Sequence, residues 1–499
     1  MRVKSLASIC GIPLLRPLLH NIGRSPIGYR LAKGVFWSMT GAVISRGLML
    51  AALVFVARIL GKTGYGELGM IRSTVGMFGI FAGFGLGLTA IKHVAESRQI
   101  DPLRAGRIIG LSELVAIVTG GLMSLGLFIY APMLAERAIN APHLTGALRI
   151  GALMLFINAL TGAQTGALAG FEAFKTIAYV NLVIGLISFP LLVGGAYFSG
   201  LTGVIWALTI NFGVNWLLNY LALRKESQRY NVPITYRKCS QEWSILWTFS
   251  VPAVLSGILV EPARWVCNAM LVNQPDGYSN MGIFNAAITF QVLLLFVGSM
   301  LNAPLLTMIS DVEGKKSNKI GIVNILSSWI VGVVIAIPLL CFPEIVQMIF
   351  GREYYGYSFK VTFAIVIFYT CIMMFKQGLA RILTANNLLW WSFFSNTFWG
   401  IILISSAAVL VRWGALGLAA SFSIAYIVNT LILVPLYYSR KLVPKGTLIS
   451  FESIAIWSVL MILVLLNITN TALLSRAIAF VPCLLIATIS FKRLMKPAI

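Results

Sequence analysis

Apolar and polar positions alternate along this chain over tens of residues rather than over single helical turns. Fourteen apolar stretches fall at 34–57, 68–91, 108–131, 147–171, 176–198, 202–223, 245–271, 281–309, 320–341, 361–383, 390–411, 414–438, 450–468 and 471–489. Each is near the ~20 residues that a spanning helix needs. The pattern predicts an all-α polytopic membrane protein with about 14 transmembrane helices. The longest polar segment runs from Arg224 to Trp243, too short for a soluble catalytic domain.

Charge in the short segments gives the orientation. With a cytoplasmic amino terminus, the inside set begins with Arg2, Lys4, Arg16, Arg24, Arg30 and Lys33 and ends with Lys492, Arg493 and Lys496. Between them fall Arg224, Lys225, Arg229, Arg237 and Lys238, then Lys315, Lys316 and Lys319, then Arg440, Lys441 and Lys445. About 25 basic residues lie inside against about 8 outside, among them Arg58, Lys62 and Arg352; basic loops stay cytoplasmic. Both termini are expected on the cytoplasmic side. Residues 1–33 read as a basic segment at the membrane surface rather than a cleaved signal, because Pro13, Arg16 and Pro17 break its apolar run.

Composition agrees. The chain is 59% hydrophobic and 11% charged, against about 25% charged in a soluble domain. Its net charge of +23 sits in short runs between spans rather than on one aromatic-rich face, which excludes nucleic acid as the partner. Six cysteines (Cys10, Cys239, Cys267, Cys341, Cys371, Cys483) and three histidines are scattered singly, suggesting neither a disulfide framework nor a zinc site.

The chain repeats itself. Gly64-Tyr65-x-x-x-Gly69 returns as Gly277-Tyr278-x-x-x-Gly282, an offset of 213 (277 − 64). Asn181 and Asn396, Gly203 and Gly417, and Asn215 and Asn429 match at 214 or 215 (396 − 181 = 215; 417 − 203 = 214). An offset of six spans leaves both halves in one orientation, related by an axis along the membrane normal. The expected division is 1–33, 34–223 (six-helix bundle), 224–244 (linker), 245–438 (second bundle) and 439–499 (an extra helix pair and basic tail). Small-residue ladders at Gly79, Gly83 and Gly87, at Gly162, Gly166 and Gly170, and along Gly34, Ser38, Gly41 and Ser45 predict close helix contacts.

Six ionisable residues fall within spans: Arg46, Glu113, Glu261, Arg264, Lys376 and Arg381. A charge at bilayer depth needs a partner or a wet cavity. Arg46 is too central to reach the surface easily. Glu261 and Arg264, at i and i+3, form either a structural ion pair or part of a substrate contact. Arg381 either snorkels inward or faces the cavity, and Glu113 either caps its helix or couples to an ion. Four bases against two acids point to a cavity for an anion.

Soluble-enzyme signals fail. Leu60-Gly61-Lys62-Thr63 lacks the upstream glycine of a phosphate-binding loop, its place being taken by Val56. Gly83-Phe-Gly85-Leu-Gly87 is not a dinucleotide fingerprint. No cofactor site is expected, and the chain reads as a non-enzyme.

Lys33-Gly34-x-x-Trp37, followed by Ala57-Arg58-Ile-Leu-Gly61-x-x-x-Tyr65-Gly66, resembles the opening of the polysaccharide-biosynthesis flippases of the multidrug/oligosaccharidyl-lipid/polysaccharide exporter superfamily. The resemblance implies two six-helix bundles around a cavity that opens alternately to either side. The implied substrate is an undecaprenyl-diphosphate-linked oligosaccharide, moved to the periplasmic leaflet of a bacterial inner membrane, with a polymerase and a chain-length regulator as partners besides membrane lipids. It further implies Arg46, Arg264, Lys376 and Arg381 as substrate-binding residues and Glu113 and Glu261 as ion-coupling groups. Trp37, Tyr179, Phe394 and Trp399 are candidate sugar-stacking residues. The extra helix pair is similar to that of fourteen-span lipid-precursor flippases, where it lines a groove for the lipid tail. The rival is a drug or metabolite antiporter of the same superfamily, which would favour acids within the bundles.

Overall fold

A computed structural model describes residues 26–495 apart from 256, 303–304, 307–308, 310–317, 387, 441 and 444–449. The segment 1–25 and Lys315, Lys316, Lys441, Lys445 and Lys496 lie outside the described residues, as do the side chains of Arg30, Lys33, Trp37 and Lys319.

Backbone polar groups in hydrocarbon must be satisfied within the segment, so long apolar runs form helices. Among the described residues there is no strand, and ten helices are long and apolar enough to cross a membrane. Three of the ten are too long for one crossing. Val43–Ser97 has 55 residues, about 80 Å at 1.5 Å per residue, against a core of about 30 Å. It breaks at Gly61 (φ 68°, ψ −179°), giving α1 (26–60) and α2 (62–97), the latter itself interrupted at Phe84 and Gly85 (φ 41° and 64°) before it resumes over Leu86–Ser97. The run Phe174–Arg229 breaks at Ser199 and Gly200 into α5 (174–198) and α6 (201–229). Trp390–Ser439 breaks at Gly414 into α11 (Leu389–Leu410) and α12 (Gly414–Ser439).

The other seven of the ten are α3 (Pro102–Met133), α4 (Thr145–Gly170), α8 (Gly277–Ser299), α9 (Asn318–Cys341), α10 (Tyr357–Ala385), α13 (Phe451–Ile468) and α14 (Leu473–Met495). Between α6 and α8 lies α7, in two shorter pieces, Val251–Leu255 and Val260–Val272. Helices α1–α6 and α7–α12 form two bundles, and α13 and α14 pack on α9 and α10.

The duplication has a local structural signature. Gly200 and Gly414, 214 residues apart (414 − 200), both take positive φ, 55° and 64°. A few residues later Gly203 packs on the Gly195 carbonyl and Gly417 on the Leu410 carbonyl. The same turn thus joins α5 to α6 and α11 to α12.

Small residues set several of the close crossings, although of the expected ladders a Cβ on Gly83 or Gly162 would meet no described neighbour within 4 Å and one on Gly79 would make only ordinary contact with Leu155. A Cβ on Gly166 would overlap Gly87, and one on Gly41 would lie 2.9 Å from the Ala178 Cα. Gly185 faces Ser45, so α1 lays its small face on α5. Outward faces are apolar, with Leu122 and Leu125 on α3 and Leu431 and Ile432 on α12 exposed, as lipid-facing surfaces are.

Helix α10 is the exception, buried on nearly every side by α8, α9, α12 and α13. This placement governs where two of the sequence-derived site residues end up.

Candidate functional site

The halves meet chiefly through α2 and α8. A Cβ on Gly66 would overlap the Tyr278 carbonyl oxygen, and one on Gly282 would overlap the Lys62 carbonyl oxygen. The repeated Gly-Tyr motif is therefore the backbone contact between the halves. Side chains reinforce it: Tyr65 Oη lies 3.0 Å from Thr289 Oγ1, and Asn285 Nδ2 donates to the Tyr65 carbonyl at 3.2 Å. Asn273 Nδ2 and Tyr278 Oη donate to the carbonyls of Ala138 and Ile139 at 2.7 and 2.8 Å. Together these contacts seal the end of the molecule that carries the Gly61 turn.

Deeper along the same interface lies a cavity of 280 Å³, lined by α1, α2, α7, α8 and Phe422 of α12. Its charged groups are Arg46, Arg72, Arg264 and Glu261. Trp265 Nε1 donates to Thr74 Oγ1 and Asn268 Nδ2 to Ser73 Oγ, both at 2.9 Å, bracing α7 against α2. Arg264 Nη1 is 3.5 Å from Glu261 Oε1, and its guanidinium lies over the Phe422 ring at 5.9 Å. The Arg46 guanidinium lies over Phe296 at 5.4 Å. Neither Arg46 nor Arg72 is ion-paired with a described carboxylate, and both are exposed to the cavity. Three guanidinium groups against one carboxylate leave an electropositive, water-accessible space.

Arg46, Glu261 and Arg264 are thus brought together. Arg72 joins them, though sequence reasoning passed over it because it sits near the end of its predicted span. The signal was available: Arg72 lies one turn beyond Gly69 of the repeated motif and so faces the same neighbour.

Lys376 and Arg381 do not line the cavity. Both sit on α10, inside the second bundle. Arg381 is 5% exposed. Its Nε donates to Asn324 Oδ1 at 2.7 Å, Nη1 to Asn302 Oδ1 at 2.5 Å and Nη2 to the Asn324 carbonyl at 2.7 Å, with Ser328 Oγ at 3.2 Å. Lys376 Nζ donates to Asn429 Oδ1 and lies over the Tyr426 ring at 5.7 Å. Tyr369 stacks on both Phe422 and Tyr426, at 5.7 and 5.8 Å. Lys376 therefore meets the cavity only through an aromatic stack that Arg264 caps on the other side.

Glu113 is apart from the cavity. It accepts from Tyr236 Oη at 2.6 Å, where the linker runs along α3. Gly106 and Gly110 of α3 face the Pro233 and Thr235 carbonyls, and Arg104 and Arg107 hold Glu242 at 3.2 and 3.0 Å. Of the aromatic candidates, Trp399 is buried against Phe422 and Tyr426, while Tyr179 and Phe394 are exposed outside the cavity.

Two helical bundles face to face around an interior cavity, with a further helix pair on one of them, define a polytopic membrane protein. That fold is shared with the lipid II flippase MurJ in an inward closed conformation, at TM-score 0.66 and 17% identity over 91% of this chain and 98% of that one. A MOP superfamily transporter from Pyrococcus furiosus matches at TM-score 0.63 and 15% identity, covering 82% and 95% of the two chains. Residues 31–310, more than half of the sequence, match the polysaccharide biosynthesis protein family, and the chain belongs to that family. The EPS I polysaccharide export inner membrane protein EpsE of Ralstonia nicotianae is 23% identical over 261 residues, 52% of this chain and 59% of the relative. The lipid III flippase of Escherichia coli is 22% identical over 185 residues, 33% and 44% of the two. The matches thus span about half the length of these curated relatives.

Proposed function

We propose that the protein flips an undecaprenyl-diphosphate-linked oligosaccharide from the cytoplasmic to the periplasmic leaflet of a bacterial inner membrane, for surface polysaccharide synthesis. The observation that carries this reading is the interbundle cavity, with Arg46, Arg72 and Arg264 set against the single carboxylate of Glu261. A diphosphate is heavily solvated and cannot enter hydrocarbon bare. Guanidinium groups offer planar forked donors that match phosphate oxygens and replace that hydration. Arg46 and Arg72, free of carboxylate partners among the described residues, are available to the ligand without first breaking an ion pair. Glu261 competes with the ligand for Arg264 and is the candidate coupling group of the cavity.

The linked tail stays in lipid while the head group crosses. At 280 Å³ the cavity lies just below the range of ligand pockets, so a whole sugar repeat requires the halves to separate. Residues 34–223 and 245–438 are the two bodies that rock. With both termini cytoplasmic, the sealed Gly61 end faces the periplasm. Lys376 and Arg381 then keep the second bundle rigid and basic rather than touch substrate. A polymerase and a chain-length regulator would take the product onward.

A cation antiporter with the same fold would need acids in the cavity, and the polarity found is opposite. Reconstitution in proteoliposomes with a fluorescent polyprenyl-diphosphate oligosaccharide tests the reading. Time-dependent loss of label at the donor leaflet is expected. Cation efflux with no lipid movement would replace this proposal with the antiporter.

A further inference from the structure

The short helix Pro343–Phe350, between α9 and α10, is gripped at both ends by parts of the chain remote in sequence. Glu344, in its first turn, is ion-paired with Arg476 of α14: Nη1 donates to Oε2 at 3.1 Å and Nη2 to Oε1. Arg476 is only 2% exposed, and its Nη1 also donates to Asn467 Oδ1 at 3.2 Å. Asn467 Nδ2 donates in turn to the Leu340 carbonyl at 2.8 Å. At the other end of the short helix, the carbonyls of Met348 and Ile349 accept from Arg58 Nη2 and Nε, each at 2.7 Å. Just beyond it, Glu353 Oε2 accepts from the Lys62 amide at 2.9 Å.

Arg58 and Lys62 flank the Gly61 turn of the first half; everything else in this chain of contacts belongs to the second half or to the extra helix pair. The short helix is therefore a strut running from α14 to the sealed end. Its last carbonyls are unsatisfied by the helix itself and carry the negative end of its dipole. A guanidinium bonded to two successive carbonyls fixes both the position and the angle of that helix end. A tilt at the Glu344 end displaces the carbonyls that Arg58 needs.

We propose that Arg476 is a positioning residue for the seal: through Glu344 it holds the strut in place for Arg58, so the α13–α14 pair sets how readily the Gly61 end opens. The inference rests on the alternating-access reading above for its role in transport, and it gives the extra helix pair a task beyond packing. Whatever presses on α13–α14 from the bilayer, including a bound lipid chain, is then felt at the seal.

The test uses Val292→Cys, a cavity-lining reporter on α8, in full-length protein lacking its natural cysteines, labelled in spheroplasts by a membrane-impermeant maleimide. Arg58→Ala and Arg476→Ala are each expected to raise the labelling rate at least about tenfold, the equilibrium worth of a lost charge-assisted hydrogen bond. The double variant should label no faster than either single one, because both act on one strut. Arg476→Ala also empties a buried site, so Glu344→Gln, nearly identical in shape, is measured beside it and must shift the rate in the same direction. An unchanged rate in Arg476→Ala and Glu344→Gln alongside a raised rate in Arg58→Ala overturns the inference alone. Singles whose effects multiply in the double variant overturn it too. A reporter that in the parent protein labels neither in spheroplasts nor in inverted membrane vesicles, which expose the cytoplasmic face, removes the alternating-access reading, and this inference with it.

Discussion

Gly66 of α2 lies directly against the Tyr278 carbonyl of α8, closely enough that a single added carbon would overlap the oxygen. The first half thus approaches the second at the residue that follows the motif tyrosine Tyr65, and touches it on the repeat's own matching tyrosine. Gly66→Ala must push α2 and α8 apart at the sealed end. Overpacking of this kind costs about 1–3 kcal/mol. Thermal unfolding in detergent should register that loss, and the Val292→Cys reporter should label faster from the periplasmic side. A melting temperature equal to the parent's would mean that the two backbones are not in contact in solution.

Arg72 is the cavity cation that a reading of span centres overlooks. Arg72→Ala and Arg46→Ala should each weaken binding of a polyprenyl diphosphate by about tenfold or more, the worth of one charge-assisted contact. Surface polysaccharide should fall with protein still inserted at parental levels. Arg72→Lys keeps the charge but loses the fork, so partial export is expected. Full export in Arg72→Ala would take this residue out of the site.

Arg381 makes the opposite prediction. Its donors are spent on Asn302, Asn324 and Ser328. Arg381→Met leaves several buried acceptors unmet, each costing about 1–3 kcal/mol. Lowered thermal stability and lowered protein level are expected, with diphosphate affinity of the surviving protein unchanged. A selective loss of affinity at parental stability would return Arg381 to the substrate site.

Glu242 anchors the linker between the halves through Arg104 and Arg107. Removing it in Glu242→Ala leaves two neighbouring guanidinium groups to repel each other and frees the segment that lies along α3. Limited proteolysis should then cut within residues 230–243 several times faster, while the helices stay protected. Equal cleavage rates would show that the backbone contacts at Gly106 and Gly110 and the Tyr236–Glu113 hydrogen bond hold the linker without Glu242.

Much of this protein was legible in one dimension because the bilayer imposes simple rules on a chain. Apolar runs of spanning length must be helices, so the fourteen spans and their short joints follow from hydropathy. The duplication was visible in the returning Gly64-Tyr65 and Gly277-Tyr278 motif and in the Gly203 and Gly417 match, because close backbone contacts need glycine at fixed places; the matching positive-φ turns at Gly200 and Gly414 came only with the structure. The close neighbours of α1 and α2 were marked by small residues such as Gly41 and Gly87, since only these allow backbones to approach. Charge placement was different. Arg46, Lys376 and Arg381 look alike as isolated bases in apolar runs, yet only Arg46 reaches the cavity. Helix α10 is walled in by four others, and that burial, set by packing between helices hundreds of residues apart, turns its two bases inward onto asparagine, serine and tyrosine. Periodicity fixes which residues share a helix face; which face meets water is decided only when the helices assemble.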